Sequence, residues 1–221
     1  MKIVVGLGNP GSRYRETRHN IGWLLLDRVA ETLGKTFEAG RGDYEILEGR
    51  RKGRPLALVK PLTFMNLSGN GVRQVLRHLK GGPEDLLIVF DEIQLPVGRL
   101  KLTGSGSDGG HNGVSSVIAE LGTENFARLR CGVGNNFGTG RMAEYVLDPF
   151  APEEIESRDL MITDGASAIL TWVHEGTAKG MNRVNRRAPK PAKEKKSTGQ
   201  AEASTDSSEQ SGDDRSATDL Q

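Results

Sequence analysis

The stretch "DLLIVFDE", residues 85–92, constrains the fold of this chain more than any other. Five large apolar residues follow one another without a polar interruption, and two acidic residues close the run. A strand in a half-exposed sheet alternates apolar and polar side chains, whereas a parallel strand covered on both faces is apolar throughout. The run therefore predicts a central strand buried between two layers, with Asp91 at its carboxyl end.

Strand-like and helix-like segments alternate along the rest of the chain. Further strands are predicted over residues 2–7, 44–49, 54–61, 98–102 and 127–134. Apolar residues at helical spacing predict helices over residues 20–34, 66–80, 112–122 and 155–173. This alternation is typical of an α/β fold. We predict a single-domain three-layer sandwich, with a mixed and mostly parallel central sheet flanked by helices.

Composition and length limit the class of protein. The chain has 221 residues, of which 35% are hydrophobic, enough for one sizeable domain. No apolar run approaches the ~20 residues that cross a bilayer, and the short N-terminal run is not a signal peptide, so we expect no membrane association. The single cysteine, Cys131, excludes an internal disulfide and fits a cytoplasmic location. Its setting, "LRCGVG", predicts a buried thiol rather than a nucleophile.

The last 34 residues differ in composition from the rest. Between residues 188 and 221, Leu220 is the only large apolar side chain, so this segment has too little to bury to offset its ordering entropy. We predict a disordered polar tail over residues 188–221, after a domain over residues 1–187. The tail carries a net charge of −2 and the whole chain +1, which leaves +3 on the domain. A mildly basic domain is compatible with a polyanionic partner.

Three glycines near the N-terminus have the spacing of a dinucleotide-binding motif. Gly6, Gly8 and Gly11 follow the first apolar run as G-x-G-x-x-G. Such a site requires a helix to begin at the third glycine, so that its N-terminus binds the pyrophosphate. Residues 12–20 contain no aliphatic side chain, and no acidic residue ends a second strand about 20 positions on. The motif therefore gives little support to an NAD-dependent oxidoreductase. Simple turn glycines are the alternative.

Polar residues follow the carboxyl ends of three predicted strands. Asn9, Asn66 and Asp91 stand at these positions, where open α/β sheets bind their ligands. The other candidates are His19 in the first loop, and His111 and Asn112 at the start of a predicted helix. Each also has a structural interpretation, as a turn residue, a helix cap or a carboxylate held by backbone amides. Together they predict one polar cleft.

A histidine and an aspartate without a neighbouring Ser or Cys nucleophile indicate a particular chemistry. The histidine would act as a general base on water, and the aspartate would fix its tautomer. Asparagine amides could bind the scissile carbonyl and its developing negative charge. This set favours hydrolysis of an activated ester. His78 and His174 are interpreted as structural, and no pair of potential ligands has zinc spacing, so no metal is predicted.

These segments together resemble the bacterial peptidyl-tRNA hydrolase family. The similarity covers about residues 1–187 in order, through "VVGLGNPGSRYRETRHNIGW", "KPLTFMNLSGNGV", "VFDEIQLPVGRLKL", "GSGSDGGHNGVSSV", "RLRCGVG" and "AKGMNRVN". The resemblance implies cleavage of the ester between a peptide and the 3′ ribose of tRNA, which recycles tRNA from prematurely released peptidyl-tRNA. It also implies a cytoplasmic monomer that needs no metal or other cofactor.

The resemblance assigns roles to individual residues. It implies that His19 is catalytic, that Asp91 supports its basic form, and that Asn9 distinguishes a peptide amide from a free amino group. The implied substrate contacts are Tyr14, Phe64, Asn66 and Asn112. Gln94 departs from the pattern, because many members carry a second acid there. The alternative is a non-catalytic RNA-binding relative, such as the plant organelle splicing factors that resemble this family; retention of the whole set favours the enzyme.

Two pairs of basic residues are candidates for contacts with tRNA phosphates. Arg99 and Lys101 alternate along one predicted strand and so share a face, as do Arg128 and Arg130 on another. Phosphate contacts by such cations make binding sensitive to salt. A solvated face of the sheet is the alternative for each pair.

Overall fold

The computed structural model describes residues 1–186, so the tail predicted over residues 188–221 lies outside the described residues. The strands are β1 (Lys2–Gly6), β2 (Glu38–Ala39), β3 (Tyr44–Arg51), β4 (Arg54–Pro61), β5 (Leu86–Glu92), β6 (Leu100–Thr103) and β7 (Ala127–Gly132). The α-helices are α1 (Ile21–Leu33), α2 (Ser68–Leu79), α3 (Asn112–Leu121), α4 (Met142–Leu147), α5 (Ile155–Glu175) and α6 (Thr177–Val184).

All seven strands form one mixed sheet in the order β2-β3-β4-β1-β5-β7-β6. The four central strands, β4, β1, β5 and β7, run parallel, and the antiparallel pairings lie toward the two edges. β5 pairs with β1 on one side and β7 on the other, and each of its seven residues is buried. The α/β sandwich with a mostly parallel sheet is therefore confirmed.

Two hydrophobic cores explain why β5 is apolar at every position. Leu87 and Val89 pack into the core formed with α1, α5 and α6, whereas Ile88 and Phe90 pack into the core formed with α2 and α3. Successive side chains of a strand point to opposite faces, so both cores draw on the same run. Burying each such side chain contributes about 1.5–3 kcal/mol before the entropy cost of folding.

The glycine motif serves the packing of α1 against the sheet. A Cβ atom on Gly6 would lie 2.5 Å from the carbonyl oxygen of Gly22, and one on Gly22 would lie 2.5 Å from that of Val89. Gly11 has φ of 110° and leads into a 3-10 turn over Ser12–Tyr14. No α-helix begins until ten residues later, so the motif lacks the helix N-terminus that a pyrophosphate site requires.

The C-terminal part of the domain differs from the prediction in two places. α4 was not predicted, because a six-residue helix is too short to show an apolar stripe. α5 contains the helix predicted over residues 155–173 and ends at Gly176, where φ is 80°, and α6 follows as a separate helix beyond the predicted range. Within residues 1–186, none of the helices combines the length and apolarity needed to cross a bilayer.

Cys131 lies buried in β7, as its sequence setting predicts. Burial raises the pKa of the thiol, and the nearby charge of Asp91 raises it further. The thiol is therefore protonated at neutral pH, and since the thiolate is the reactive form, Cys131 is an inert core residue.

Candidate active site

A cleft of about 400 Å³ opens at the carboxyl ends of β1, β4 and β5. The structure brings the polar residues that follow these strands to one place. The predicted site residues that line the cleft are Asn9, His19, Phe64, Asn66, Asp91 and Asn112. Tyr14 is not among the lining residues; its side chain is half-buried, and its hydroxyl accepts a hydrogen bond from Arg13.

His19 and Asp91 form a hydrogen-bonded pair at the floor of the cleft. His19 lies in a 3-10 turn just before α1, and its Nδ1 is 2.9 and 3.0 Å from the two carboxylate oxygens of Asp91. Burial raises the pKa of Asp91, but the neighbouring charges and hydrogen bonds of His19 and His111 lower it by more, so the carboxyl group is ionised.

The ionised carboxylate determines which nitrogen of His19 carries the proton. A carboxylate without a proton can only accept hydrogen bonds, so Nδ1 of His19 must be the donor. In the neutral ring, Nε2 then has a free lone pair, and it has no protein partner within residues 1–186. Burial lowers the pKa of His19, whereas the charge and hydrogen bond of Asp91 raise it, and the net shift is upward.

His111 is a second histidine bound to the same carboxylate. Its Nε2 lies 2.9 Å from Asp91 Oδ1, and its Nδ1 accepts the backbone N–H groups of Gly113 and Val114 at the start of α3. A ring nitrogen that accepts carries no proton, so the proton is on Nε2 and is donated to Asp91. His111 therefore acts as the N-cap of α3 and as a fixed donor to Asp91.

The sequence predicts His111 beside the cleft but indicates no role for it. The one sequence signal for a capping role is the histidine at the predicted helix start in "GGHNG". An N-cap is usually Ser, Thr, Asp or Asn, because a short side-chain oxygen reaches the free N–H groups. A histidine at this position can cap with one nitrogen and still donate with the other, which a short cap cannot do.

Asn9 is held so that its amide nitrogen is the group available to the cleft. Its Oδ1 accepts the backbone N–H of Met65 at 2.8 Å. The side chain of Asn20 binds both the backbone N–H and the backbone C=O of Asn9, at 2.8 and 3.0 Å. Rotating the Asn9 amide would lose the bond from Met65, so the orientation is fixed and Nδ2 is presented as a donor.

The remaining walls of the cleft are apolar, with amides at the rim. Phe64 is 54% exposed, and Met142 and Leu147 of α4 also line the cleft. Asn66 and Asn112 are exposed at the rim, where their amides are accessible from solvent. The site thus combines a polar floor with an apolar channel above it.

Glu92 also lines the cleft, but its charge is paired. Its Oε2 accepts Nε–H of Arg130 at 2.7 Å, and its Oε1 accepts the backbone N–H of Gln94 at 2.9 Å. The side chain of Gln94 is exposed and does not line the cleft. The unusual residue at this position therefore lies outside the floor formed by His19 and Asp91.

The four basic residues considered for tRNA binding have different surroundings. Lys101 is exposed on β6, and the half-buried Arg99 donates to the backbone carbonyl of Asn185 at 3.1 Å. Arg128 is only 2% exposed, and its guanidinium donates to backbone carbonyls of the loops beside it. The guanidinium of Arg128 is thus not presented to a ligand, and that of Arg130 is paired with Glu92.

A metal ion would have to compete with the hydrogen bonds of the floor. His19, Asp91 and His111 offer three ligand atoms within 4.8 Å of one another. Both contacts to Asp91, however, have hydrogen-bond lengths and place a proton on each donating nitrogen. A metal would displace both protons, and the absence of a metal stays a prediction.

The fold and the site are those of a hydrolase. A histidine oriented by a buried carboxylate, beside a fixed amide donor, is suited to activating water for hydrolysis. The lining of the cleft in the described part of the chain includes no Ser, Thr or Cys to serve as a nucleophile.

Comparison with known proteins agrees with this class. The family model for peptidyl-tRNA hydrolase matches residues 3–195. The chain is 46% identical over 188 residues to the peptidyl-tRNA hydrolase of Desulfitobacterium hafniense (strain Y51), covering 84% of this chain and 100% of that protein. It is 44% identical to the enzyme of Symbiobacterium thermophilum over 83% of this chain and 98% of the relative.

Solved structures show the same fold. The crystal structure of peptidyl-tRNA hydrolase from Acinetobacter baumannii superposes with a TM-score of 0.81 and 31% identity, over 86% of this chain and 97% of that one. The chain described here belongs to the peptidyl-tRNA hydrolase family, and it is an enzyme of the hydrolase class.

Proposed function

We propose that this protein hydrolyses the ester between a peptide, or an N-blocked aminoacyl group, and the 3′ ribose of tRNA, with His19 as general base. The observation that carries the mechanism is the His19–Asp91 pair, in which the protonated Nδ1 faces the carboxylate and Nε2 has a free lone pair. The reaction would recycle tRNA from prematurely released peptidyl-tRNA.

The proton transfers follow from this tautomer. Nε2 of His19 takes a proton from a water molecule, and the resulting hydroxide attacks the carbonyl carbon of the ester. Asp91 stabilises the imidazolium while the negative charge develops on the carbonyl oxygen. The bond to the 3′ oxygen of the ribose then breaks, and the imidazolium returns its proton to that oxygen.

Asparagine amides supply the recognition in this proposal. The fixed Nδ2 of Asn9 donates to a carbonyl of the peptide, which a free aminoacyl group lacks at that position. Asn66 and Asn112 contact the substrate from the rim, and Phe64 packs against it at the mouth. Tyr14 does not line the cleft, so it can contact only a part of the substrate that extends beyond it.

The tRNA body is expected to bind through its phosphates. We propose Lys101, which is exposed on β6, and the half-buried Arg99, which directly precedes this strand, for these contacts. Arg128 and Arg130 are not part of this proposal, because their guanidinium groups are engaged by carbonyls and by Glu92. Substituting Lys101 should weaken the dependence of KM on salt concentration.

The protein is further proposed to act as a cytoplasmic monomer without a cofactor or metal. The decisive experiment measures release of the amino acid from N-acetylated aminoacyl-tRNA by wild type, His19→Ala and the control His174→Ala. We expect His19→Ala to lose about 10²–10⁴-fold in rate, the usual size of a general-base contribution. The control and treatment with a chelator should leave the rate unchanged.

Two results would contradict the proposal. Full activity of His19→Ala would remove the general base from the mechanism. Binding of tRNA by the wild type without any turnover would instead favour the non-catalytic RNA-binding alternative.

A further inference from the structure

Arg18, next to the proposed catalytic base, is buried although it carries a charge. Only 5% of its surface is exposed, and its Nη2 lies 2.7 Å from Glu154 Oε2. A buried charge persists only where partners replace the water it has lost. The partners of this guanidinium therefore indicate what the residue is for.

Most of these partners lie in the last turn of α4 and in the two residues that follow it. Nη1 donates to the backbone carbonyls of Tyr145 and Pro149, at 3.2 and 2.8 Å, and lies 3.4 Å from that of Asp148. The guanidinium also lies over the ring of Tyr145, 4.0 Å from its centre. The last carbonyls of a helix have no partner within the helix, and Arg18 supplies one from elsewhere in the chain.

α4 depends on such external contacts because it has only six residues. A helix of this length is not stable by itself, since it has hardly passed the cost of its first turn. Yet α4 contributes Met142, Val146 and Leu147 to the cleft wall. The position of this wall relative to the floor therefore depends on the contacts that hold the helix end.

Arg18 and His19 belong to the same 3-10 turn, Arg18–Asn20. The backbone N–H of Arg18 also donates to the carbonyl of Asp148 at 3.1 Å. The same turn therefore carries the proposed base, His19, and contacts the end of α4 through the preceding residue, Arg18. Glu154, which also accepts the N–H of Ala151, joins the start of α5 to the same contact.

We propose that Arg18 is a positioning residue, which fixes the α4 wall against the turn carrying His19 and so acts on substrate binding rather than on proton transfer. The inference rests on the proposed function of His19. Arginine is required because its planar fork serves several acceptors while its face covers the Tyr145 ring, and a lysine ammonium cannot do both.

The test compares Arg18→Lys with the matched control Arg158→Lys. Arg158 forms ion pairs with Glu16 and Asp159. Its replacement by lysine is therefore the same substitution at a residue that does not bind the carbonyls at the end of α4. For Arg18→Lys we expect KM for N-acetylated aminoacyl-tRNA to rise about tenfold, as for the loss of one or two charge-assisted hydrogen bonds. The kcat should stay within about threefold, and the pH midpoint of kcat should not move, because the His19–Asp91 pair is intact.

Hydrogen exchange supplies a readout that does not depend on turnover. Amides of residues 142–148 should exchange faster in Arg18→Lys, with those of β5 unchanged, whereas Arg158→Lys should behave like the wild type. A wild type without esterase activity would defeat the proposed function but leave this measurement valid. If Arg18→Lys does not fold, Glu154→Gln, which removes the paired charge and keeps the arginine, should show the same changes to a smaller extent.

Three outcomes would overturn the proposal. An unchanged KM, with kcat reduced only in proportion to the folded fraction, would make Arg18 a stability residue. A displaced pH midpoint would mean that it acts on His19 directly. Unchanged exchange over residues 142–148, in whichever of the two variants folds, would show that α4 does not depend on this contact.

Discussion

Asp91 and His111 are joined by a hydrogen bond of 2.9 Å between Oδ1 and Nε2, and the same oxygen accepts Nδ1–H of His19 at 2.9 Å. One carboxylate thus serves two histidines that differ in role. His111 has both nitrogens engaged, so its proton is fixed, whereas His19 keeps one nitrogen for chemistry. The basicity of His19 therefore depends on how much negative charge Asp91 retains.

The pH dependence of activity should report the ionisation of His19. The pKa of His19 is raised by Asp91 and the unprotonated form is active, so the rate should rise with pH, with a midpoint above about 6.5, the ordinary histidine value. In Asp91→Asn the raising effects are lost and burial remains, so the midpoint should move to lower pH. The plateau should also fall, by up to about 10⁴-fold. The measurement is kcat/KM for N-acetylated aminoacyl-tRNA from about pH 5 to 9.

A profile that is flat from about pH 5 to 8 would contradict a histidine base. Far-ultraviolet circular dichroism of Asp91→Asn serves as the control for folding. Asparagine has nearly the same shape as aspartate, so a loss of folded structure would mean that the charge of Asp91 itself is needed for the fold.

Replacing His111 should move the pH midpoint in the opposite direction. Asparagine caps helices well, so His111→Asn should keep the start of α3, but its shorter side chain does not reach Asp91. Asp91 then loses one donor, its negative charge is less stabilised, and the pKa of His19 should rise further. We expect a higher midpoint in the pH profile of kcat/KM and a plateau lowered by less than about tenfold, the worth of one hydrogen bond.

The stability of His111→Asn separates the two roles of this histidine. The free energy of unfolding, measured by thermal denaturation, should remain within about 0.5 kcal/mol of the wild-type value if the cap is retained. An unchanged midpoint in a folded variant would reduce His111 to a helix cap.

Asn9→Asp tests the proposed amide donor with a minimal change of shape. Aspartate keeps an oxygen for the N–H of Met65 but replaces the Nδ2 donor with a second acceptor. Because this donor is proposed to bind a carbonyl of the peptide, its loss should lower kcat/KM by about 10–100-fold, mainly through a higher KM. Asn125→Asp adds the same charge at an exposed position outside the cleft and should retain full activity. Equal rates for Asn9→Asp and the wild type would remove Asn9 from the mechanism.

The sequence predicts the strands and long helices because their signals are local. The apolar run over Leu86–Phe90 and the helical spacing from Ile21 onward each identify their elements within a few residues. The convergence of Asn9 and Asp91 was also predictable, because the carboxyl ends of parallel strands meet at one edge of the sheet. His19 joins them from the loop that follows β1.

Properties that depend on distant parts of the chain were not predictable in this way. Alternation shows that Arg128 and Arg130 share a face, but not that the loop around Gly106 covers the first of them. The three side-chain bonds of His111 join it to residues 20, two and three positions away. Only the short-range bonds have a sequence signal. The contact between Arg18 and the carbonyl of Tyr145 in α4 likewise joins residues 127 positions apart in the chain.

Gly22→Ala should destabilise the protein, although alanine favours helices more than glycine does. A Cβ at this position would lie 2.5 Å from the carbonyl oxygen of Val89 and 2.6 Å from that of Leu7. Both are backbone atoms of the sheet and its continuation, so α1 itself must move, at a cost of about 1–3 kcal/mol. Differential scanning calorimetry should show a lower melting temperature, because this strain exceeds the gain in helix propensity. Gly138→Ala is the control, since a Cβ there meets no atom within 4 Å. A melting temperature of Gly22→Ala at or above that of the wild type would mean that close contact between α1 and the sheet is not what requires glycine here.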